Sequence, residues 1–368
     1  MVNMDILHEK RGLKHMNNDD REMDQKGALE SSGLEIYGTF GPTCHEVDDL
    51  KKMLEAGMNG IRLNLSHSPI SSCKDWIDNL WMACDQTGKS CHLVMDLQGR
   101  ERRLGKFESF ELKKGEVILL PDDLPISTDV LICLEAGDEI HIGDSGAPLQ
   151  IQEKSGNSWK AVALDDGYFE PGKSIHVLNK DSSLPVLYAK DLENLQLAKE
   201  CRVDGVLVPF VQNADDLKSI REIIDPLIPG CRILAKIENM EGVRNLDSIQ
   251  KLADMIVVAR GDLAASTSIE WLPVIQNYLE EQCRNVDKPY LIVTQMLDSM
   301  QHHPTPTRAE VCDVYNAVKH GAAAIMLTGE TAKSDYPVEA MEMFCRIAGD
   351  ACKIRQDPEY IHTLIQTL

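Results

Sequence analysis

The chain has 368 residues, of which 43% are hydrophobic and 26% are charged, a composition typical of folded globular proteins. This length exceeds what a single core usually holds, so we expect two domains or one large barrel with an insertion. The formal net charge of −21 disfavours binding to nucleic acid or to anionic membranes, because both attract basic surfaces.

Targeting and redox features of the sequence favour a cytoplasmic protein. No run of 18 apolar residues is present, which argues against a membrane span. The acidic, polar N-terminus resembles neither a signal peptide nor a transit peptide. The 11 cysteines form no C-x-x-C pair, which favours reduced thiols over a disulfide framework or a zinc site.

Residues 1–33 are polar and lack a sustained hydrophobic period, so we expect a disordered or loosely docked arm that could contain a short helix. From residue 34, β-rich runs alternate with segments of helical period, which predicts a parallel sheet. Eight such units are what a closed (β/α)8 barrel (TIM barrel) of the α/β class needs. The eight runs are 34–39, 60–65, 92–96, 205–210, 232–237, 255–259, 289–294 and 323–328.

The alternation is interrupted once, between the third and fourth runs. Residues 99–184 contain short strand-like stretches separated by turn residues, which predicts a small antiparallel β-domain. The barrel would then consist of 34–98 and 185–368. Because the insertion replaces a loop at the catalytic end of the barrel, we interpret it as a lid over that mouth.

Polar residues end the second and third predicted strands. Strand alternation places Arg62, Asn64 and Ser66 on one side of the second strand. Such groups inside a barrel are costly unless they bind a phosphate or a metal ion. Asp96 could complete a hard-cation site with Asn64 and Ser66, and a turn aspartate is an equally good interpretation.

Charged residues end the fifth and sixth predicted strands. Lys236 and Glu238 share a face by alternation, and Asp262 follows the neighbouring strand. Two carboxylates plus substrate oxygens form a typical Mg²⁺ site, and the nearby Lys236 and Arg260 would neutralise phosphate charge. A structural Lys–Glu ion pair is the alternative. Hydroxyl and carboxylate groups also follow the last two strands, where they suit proton delivery or nucleotide contact: Thr294, Thr328 and Glu330.

Eight segments, in chain order, resemble the motifs of the pyruvate kinase family, and their joint occurrence is specific. The resemblance runs from about residue 34 to 352 and is weakest in the insertion. The segments are TFGPT at 39–43, RLNLSH at 62–67, AKIEN at 235–239, EGVRN at 241–245, VARGDL at 258–263, TQML at 294–297, PTRAEVCDVYNAV at 306–318 and GETAKSDYP at 329–337.

The resemblance implies transfer of the phosphoryl group of phosphoenolpyruvate to ADP, which gives pyruvate and ATP. Glu238 and Asp262 would hold Mg²⁺ or Mn²⁺. Lys236 would balance charge on the transferring phosphoryl group, and Arg62 would bind phosphate. The backbone N–H groups of Gly261 and Asp262 would receive the substrate carboxylate.

The resemblance also implies three further groups of site residues. Thr294 would help to deliver a proton to the methylene carbon through water. A monovalent-cation site for K⁺ would comprise Asn64, Ser66, Asp96 and the carbonyl of Leu97. The nucleotide would contact Arg103, Lys173 and His45.

Several residues depart from the family pattern and put full activity in question. His45 stands where an arginine near the nucleotide is usual, Pro209 replaces a serine, and Ala264 replaces a glycine. The segment HVLNK at 176–180 replaces the usual asparagine–leucine–proline–glycine turn of the lid.

Potassium dependence is the least settled of these expectations. Leu97 and its neighbours look like the potassium-independent branch of the family. That branch has lysine where this chain has Glu101, and the lysine takes the place of the ion. Glu101 therefore favours a potassium requirement, unless Arg100 substitutes for the lysine.

The family's C-terminal effector-binding domain has no counterpart before Leu368. From this we expect no activation by sugar phosphates and an oligomer limited to barrel contacts, of which a homodimer is one form. Two alternative functions stay open: a catalytically weak or inactive paralogue with a binding or regulatory role, and a Mg²⁺-dependent 2-oxo acid lyase on the same barrel.

Overall fold

The computed structural model describes residues 18–66, 68–143, 147–178 and 186–367. Residues 1–17 of the predicted arm and 179–185 at the end of the predicted lid lie outside this range. The first described elements are one helix followed by strand–helix units: α1 (Asn18–Ser32), β1 (Glu35–Thr39), α2 (Val47–Ala56), β2 (Gly60–Asn64), a 3₁₀ turn (Ile70–Cys73), α3 (Lys74–Thr87) and β3 (His92–Asp96).

Antiparallel strands follow β3. Five of them form one sheet in the order β10-β6-β7-β8-β5, and β4 pairs with β9. Apolar side chains on their inner faces, such as Leu120 and Phe169, form a core separate from that of the barrel. The elements are β4 (Phe110–Leu112), β5 (Val117–Leu120), α4 (Thr128–Cys133), β6 (Glu139–Ile142), β7 (Leu149–Ser155), β8 (Ser158–Ala163), β9 (Gly167–Phe169) and β10 (Ile175–Val177).

Alternating helices and strands resume at residue 189. They are α5 (Ala189–Ala198), β11 (Gly205–Val208), α6 (Ala214–Leu227), β12 (Arg232–Ile237), α7 (Met240–Arg244), α8 (Leu246–Ile249), β13 (Met255–Ala259), α9 (Arg260–Ala265), a 3₁₀ turn (Ile269–Trp271), α10 (Leu272–Asn285), β14 (Tyr290–Val293), a 3₁₀ turn (Asp298–Gln301), α11 (Arg308–Lys319), β15 (Ala324–Met326), α12 (Gly329–Ala332), α13 (Pro337–Gln356) and α14 (Tyr360–Thr367).

Eight parallel strands close into a barrel in the order β1-β15-β14-β13-β12-β11-β3-β2. The predicted (β/α)8 fold is therefore confirmed. One apolar layer fills the barrel interior, where Tyr37 and Val257 are fully buried. A larger layer lies between the strands and the surrounding helices. Because all eight strands run the same way, their carboxyl ends meet at one mouth.

Local sequence signals set several helix ends. Asn213 accepts hydrogen bonds from the N–H groups of Asp215 and Asp216 and so caps α6. At α11, Thr307 and Glu310 form a reciprocal capping box. None of the helices in the described ranges combines the length and apolar character needed to span a bilayer.

Five predicted strands are one to three residues shorter than expected, and for two of them the backbone gives the reason. β11 ends at Val208, since proline follows at 209 and Phe210 has a φ of 50°. β14 ends at Val293, because Thr294 has a φ of 83°. Neither left-handed conformation can continue a strand.

The described part of the predicted arm is a packed helix. α1 lies along α13 and buries Ala28 and Leu29. Gln25 donates a hydrogen bond to Asp350 at 2.9 Å. A Cβ at Gly349 would lie 2.9 Å from Cβ of Gln25, so the glycine permits the close approach of the two helices. The short helix that the arm could contain is thus present at residues 18–32, and from Gln25 onward it is packed against α13 rather than loosely docked.

Candidate active site

The mouth of the barrel contains a cavity of about 300 Å³ between the strand ends and the inserted β-domain. Glu238 lines an adjoining cavity that also reaches the insertion. Most of the residues predicted for the site line the first cavity: Arg62, Asn64, Ser66, Asp96, Leu97, Arg103, Lys173, Lys236, Gly261, Asp262 and Thr294.

A network of buried charges joins the ends of β2, β3 and β12, of which β3 and β12 are separated in the barrel by β11. Nζ of Lys236 lies 2.8 Å from Oε1 of Glu238 and 3.4 Å from Oδ1 of Asp96. Nε of Arg62 donates to Oδ2 of Asp96 at 2.8 Å. Burial opposes the charged form of Lys236 and is the largest single influence, but Asp96 and Glu238 outweigh it and raise the pKa of the ammonium. Lys236 is therefore held as a cation at the centre of the mouth.

Glu238 and Asp262 form a carboxylate pair with opposite pKa shifts. Burial, followed by the charge of Asp262, raises the pKa of Glu238 to about 8 against the pull of Lys236. At Asp262, burial also favours the protonated form. The nearby His176 and Lys236 outweigh burial and hold the pKa of Asp262 below its usual range. Of the two groups, Glu238 therefore favours its protonated form and Asp262 its ionised form, and a bound cation would displace the proton of Glu238.

The donor set fits a hard divalent cation. Oε1 of Glu238 and Oδ1 of Asp96 are buried without a hydrogen bond, although Lys236 approaches both at ion-pair distance. Such oxygens are suited to coordinate Mg²⁺ or Mn²⁺. Within the described ranges, no three or more His, Cys, Asp and Glu side chains are grouped to form a complete metal cage. Substrate oxygens and water would complete the coordination of a cation held by these carboxylates.

The residues predicted to bind potassium lie together beside this network. Oδ1 of Asn64 accepts from the N–H of Ser66 at 3.0 Å. The hydroxyl of Ser66 donates to Glu101 at 2.9 Å. Glu101 thus enters the predicted cation site and adds a negative charge to it. Arg100 points elsewhere and forms a bidentate pair with buried Asp216 at 2.7 and 2.6 Å, so it does not occupy the place of an ion.

The inserted domain contributes charged side chains to the wall of the cavity. Arg103 donates to the carbonyl of Gly172 at 2.7 Å and pairs with Glu101 at 2.5 Å. Lys173 lies 3.2 Å from Glu170. Arg103 and Lys173 line the cavity, where two cations can meet the charge of a nucleotide.

His176 was not among the predicted site residues. It extends from β10, is only 7% exposed, and its Nε2 lies 3.3 Å from Oδ1 of Asp262. Its ring also lies 5.9 Å from that of Phe210. The sequence singles out this region only because HVLNK at 176–180 departs from the family pattern. That departure does not indicate that His176 contacts a strand end of the barrel.

His45 is placed differently from the other predicted residues. Its ring packs on Trp76 at 5.0 Å, and Nε2 lies 3.2 Å from Glu46. It is not among the residues that line the cavity. Pro209 does line the cavity, and a Cβ on Gly99 would come within 2.5 Å of its ring.

The barrel and its mouth have the features of enzymes that use a divalent cation and protein cations to act on anionic substrates. Residues 32–341 match the family model for the pyruvate kinase barrel domain, and the chain belongs to the pyruvate kinase family. A pyruvate kinase of Bacillus licheniformis is 36% identical over 327 residues, covering 85% of this chain and 56% of that protein.

Two other relatives show a similar level of identity. A pyruvate kinase of Geobacillus stearothermophilus is 36% identical over 329 residues, with 85% of this chain and 56% of the relative covered. For that of Aeropyrum pernix, identity is 33% over 325 residues, with coverage of 87% and 71%. The chain thus spans little more than half the length of the two bacterial proteins.

Proposed function

We propose that the protein is a pyruvate kinase, a phosphotransferase that converts phosphoenolpyruvate and ADP to pyruvate and ATP. The observation that carries the proposal is the buried charge network. Lys236 lies between Glu238 and Asp96 at the mouth of a barrel of this family. Arg62 and Lys236, from two of the family motifs, thus both contact Asp96, although the three residues come from distant parts of the chain.

The charge network has the chemistry that phosphoryl transfer requires. The bond from the phosphorus to the enol oxygen breaks, and a bond to the terminal oxygen of ADP forms. Lys236 and Arg62 stabilise negative charge on the moving phosphoryl group. Glu238 and Asp262 would hold Mg²⁺ or Mn²⁺, which neutralises phosphate and enolate oxygens when bound.

The remaining residues bind and orient the substrates. The N–H groups of Gly261 and Asp262 receive the carboxylate of phosphoenolpyruvate, and Arg103 and Lys173 contact ADP. Thr294 lies at the cavity wall, where it helps to deliver a proton, through water, to the methylene carbon of the enolate. That proton completes pyruvate.

The proposal also covers the potassium site and His45. Asn64, Ser66, Asp96 and the Leu97 carbonyl bind K⁺, with Glu101 as an additional negative charge. His45 contacts the nucleotide only if its ring leaves Trp76. Its present packing makes it the weakest member of the nucleotide site.

We also propose that the protein works in the cytoplasm without nucleic-acid or membrane partners, consistent with its charge of −21. It would assemble as a homodimer through the barrel. Exposed apolar side chains of Ile269, Trp271 and Val274 lie on the 3₁₀ turn before α10 and on the start of α10, and a second copy would cover them. Sedimentation should give a dimer for the wild type and a monomer for Trp271→Lys. A wild-type monomer would refute this contact.

The proposed function is tested by ATP formation from phosphoenolpyruvate and ADP with Mg²⁺, in the presence and absence of K⁺. We expect turnover that K⁺ increases. Folded protein that binds Mg²⁺ and ADP without turnover would identify an inactive paralogue. Exchange of the methyl protons of pyruvate without ATP formation would favour a 2-oxo acid lyase.

A further inference from the structure

The loop after β14 contains two consecutive left-handed residues. Thr294 has a φ of 83° and Gln295 a φ of 52°. Such backbone angles are unfavourable for residues with a Cβ, and above all for β-branched threonine. A strained pair of this kind persists only where neighbouring groups hold it in place.

Glu330 holds the loop from one side. This residue is 0% exposed, yet its carboxylate is fully hydrogen-bonded. Oε1 accepts from the N–H groups of Met296 at 3.0 Å and Leu297 at 3.1 Å. Oε2 accepts from the N–H of Thr328 at 2.7 Å and from its hydroxyl at 3.0 Å. The four donors fill the acceptor capacity of one carboxylate.

Arg260 holds the loop from the other side. Its Nε and Nη2 donate to the carbonyl of Thr294 at 3.0 and 2.5 Å. Nη2 also donates to the carbonyl of Gln295 at 3.3 Å. The guanidinium is itself fixed by Asp313 at 2.6 Å. Arg260 thus binds the carbonyl groups of the loop, and Glu330 binds the N–H groups that follow them.

The consequence of this fixation is the position of the Thr294 side chain. It lines the cavity and faces Gly261, whose Cβ, if present, would lie 3.1 Å from Cγ2 of Thr294. Thr294 is thus oriented by its backbone, since its hydroxyl forms no hydrogen bond with another residue of the described ranges. That hydroxyl stays available to a substrate or a water molecule.

We propose that Glu330 is a positioning residue for proton delivery. It fixes the strained loop and thereby holds Thr294 at the cavity wall, where its hydroxyl acts on the water that protonates the enolate. The inference rests on the proposed function, because Thr294 has this role only if an enolate forms in the cavity. Glu330 itself touches no substrate.

The test compares Glu330→Gln with Glu280→Gln. The amide has almost the same shape as the carboxylate, but its NH₂ group cannot accept from Met296, Leu297 or Thr328. We expect kcat to fall about 100-fold, within the range of general acid–base effects. The KM values for both substrates should change less than about twofold, because the charge network is untouched. Glu280 is equally buried but lies on α10, and its substitution should leave kcat unchanged.

Amide hydrogen exchange provides a readout that does not depend on activity. In Glu330→Gln the amide oxygen can keep only one of the two pairs of donors, so protection should fall at Met296 and Leu297 or at Thr328. Protection should stay the same in the strands of the barrel. If Glu330→Gln shows this loss of protection but the wild type has no turnover, the pyruvate kinase proposal is refuted. The role of Glu330 in fixing the loop would still stand. Unchanged exchange at these amides would overturn the positioning role, whatever the activity.

A milder variant keeps the test decisive if Glu330→Gln does not fold. Thr328→Val removes one of the four donors to Glu330, so we expect kcat to fall about threefold to tenfold with unchanged KM. If kcat falls no more than in Glu280→Gln, or if KM rises in proportion to the loss of kcat, Glu330 does not position the proton donor.

Discussion

Replacing Lys236 with methionine removes the cation shared by two buried carboxylates. Its ammonium lies 2.8 Å from Glu238 and 3.4 Å from Asp96. Methionine fills a similar volume but cannot balance charge. The variant should therefore lose folding stability as well as any activity that depends on the cation.

The expected loss in the free energy of unfolding depends on the partners that Asp96 and Glu238 retain without Lys236. Breaking a buried ion pair by removing one partner costs about 3–5 kcal/mol. Asp96 keeps Arg62 at 2.8 Å. Glu238, whose pKa burial raises to about 8, can take up a proton at neutral pH. We therefore expect a loss of about 2–3 kcal/mol near pH 7, below the full cost of an uncompensated pair.

The loss should grow with pH. The pKa of Glu238 in the folded protein lies above its ordinary value, so its protonated form favours the native state. This contribution is present below the pKa of the unfolded chain and disappears as pH rises through about 8. Without Lys236 the ionised form keeps the hydrogen bond from the N–H of Phe210 at 2.8 Å but loses its counter-charge, and the loss should approach about 5 kcal/mol near pH 9.

Urea unfolding in the presence of a chelator, near pH 7 and near pH 9, measures this effect. The matched control is Lys218→Met, because Lys218 forms an exposed pair with Asp215 at 2.8 Å. That variant should lose less than about 0.5 kcal/mol at both pH values. Equal losses in the two variants, or a larger loss for Lys236→Met at the lower pH, would refute the reasoning.

Three further predictions concern the metal site and the packing around it. Mn²⁺ should displace the proton of Glu238, so affinity should rise with pH up to about 8. Calorimetry in buffers of different ionisation enthalpy should detect proton release in the wild type but not in Glu238→Gln. Arg100→Met leaves Asp216 buried without its partner, and urea unfolding should show a loss of about 3–5 kcal/mol. A smaller loss than in Arg346→Met, an exposed control, would contradict this. Gly41→Ala places a methyl group 1.9 Å from the carbonyl oxygen of Ala332. The melting temperature should fall by an amount that corresponds to about 3 kcal/mol, and an unchanged value would disprove the close contact.

Local patterns predicted the barrel and the relative positions of several charged and polar side chains at its mouth. Alternation within one strand places Lys236 and Glu238 on the same face, and the two form an ion pair. Asn64 and Asp96 end neighbouring strands and occupy paired positions in the sheet. These relations depend only on strand period and chain order, so they can be read from the sequence.

Other relations depend on tertiary contacts between distant segments. The sequence offers Arg100 as a substitute for an ion, but its partner Asp216 lies 116 positions away and local patterns do not reveal the pair. His176 reaches Asp262 only because the inserted domain lies over the mouth. Polar helix α1 gave little hydrophobic signal, and its packing depends on Gly349 in a helix at the other end of the chain.

The left-handed conformation of Thr294 was also inaccessible to sequence reasoning. Threonine after a β-rich run suggests a longer strand. The charged groups of Arg260 and Glu330 override that preference, and both lie more than 30 positions from Thr294. The sequence therefore indicates which residue types meet at the mouth, whereas the long-range contacts determine how they are oriented.

The most direct test of the central claim is a coupled assay of ATP formation from phosphoenolpyruvate and ADP with Mg²⁺ and K⁺. It should compare the wild type, Lys236→Met and Lys218→Met without urea, at a temperature at which all three proteins are folded. We predict turnover in the wild type and in Lys218→Met, and a fall of at least about 100-fold in Lys236→Met. Full activity of Lys236→Met, or no ATP from folded wild-type protein, would contradict the assignment of this mouth as a phosphoryl-transfer site.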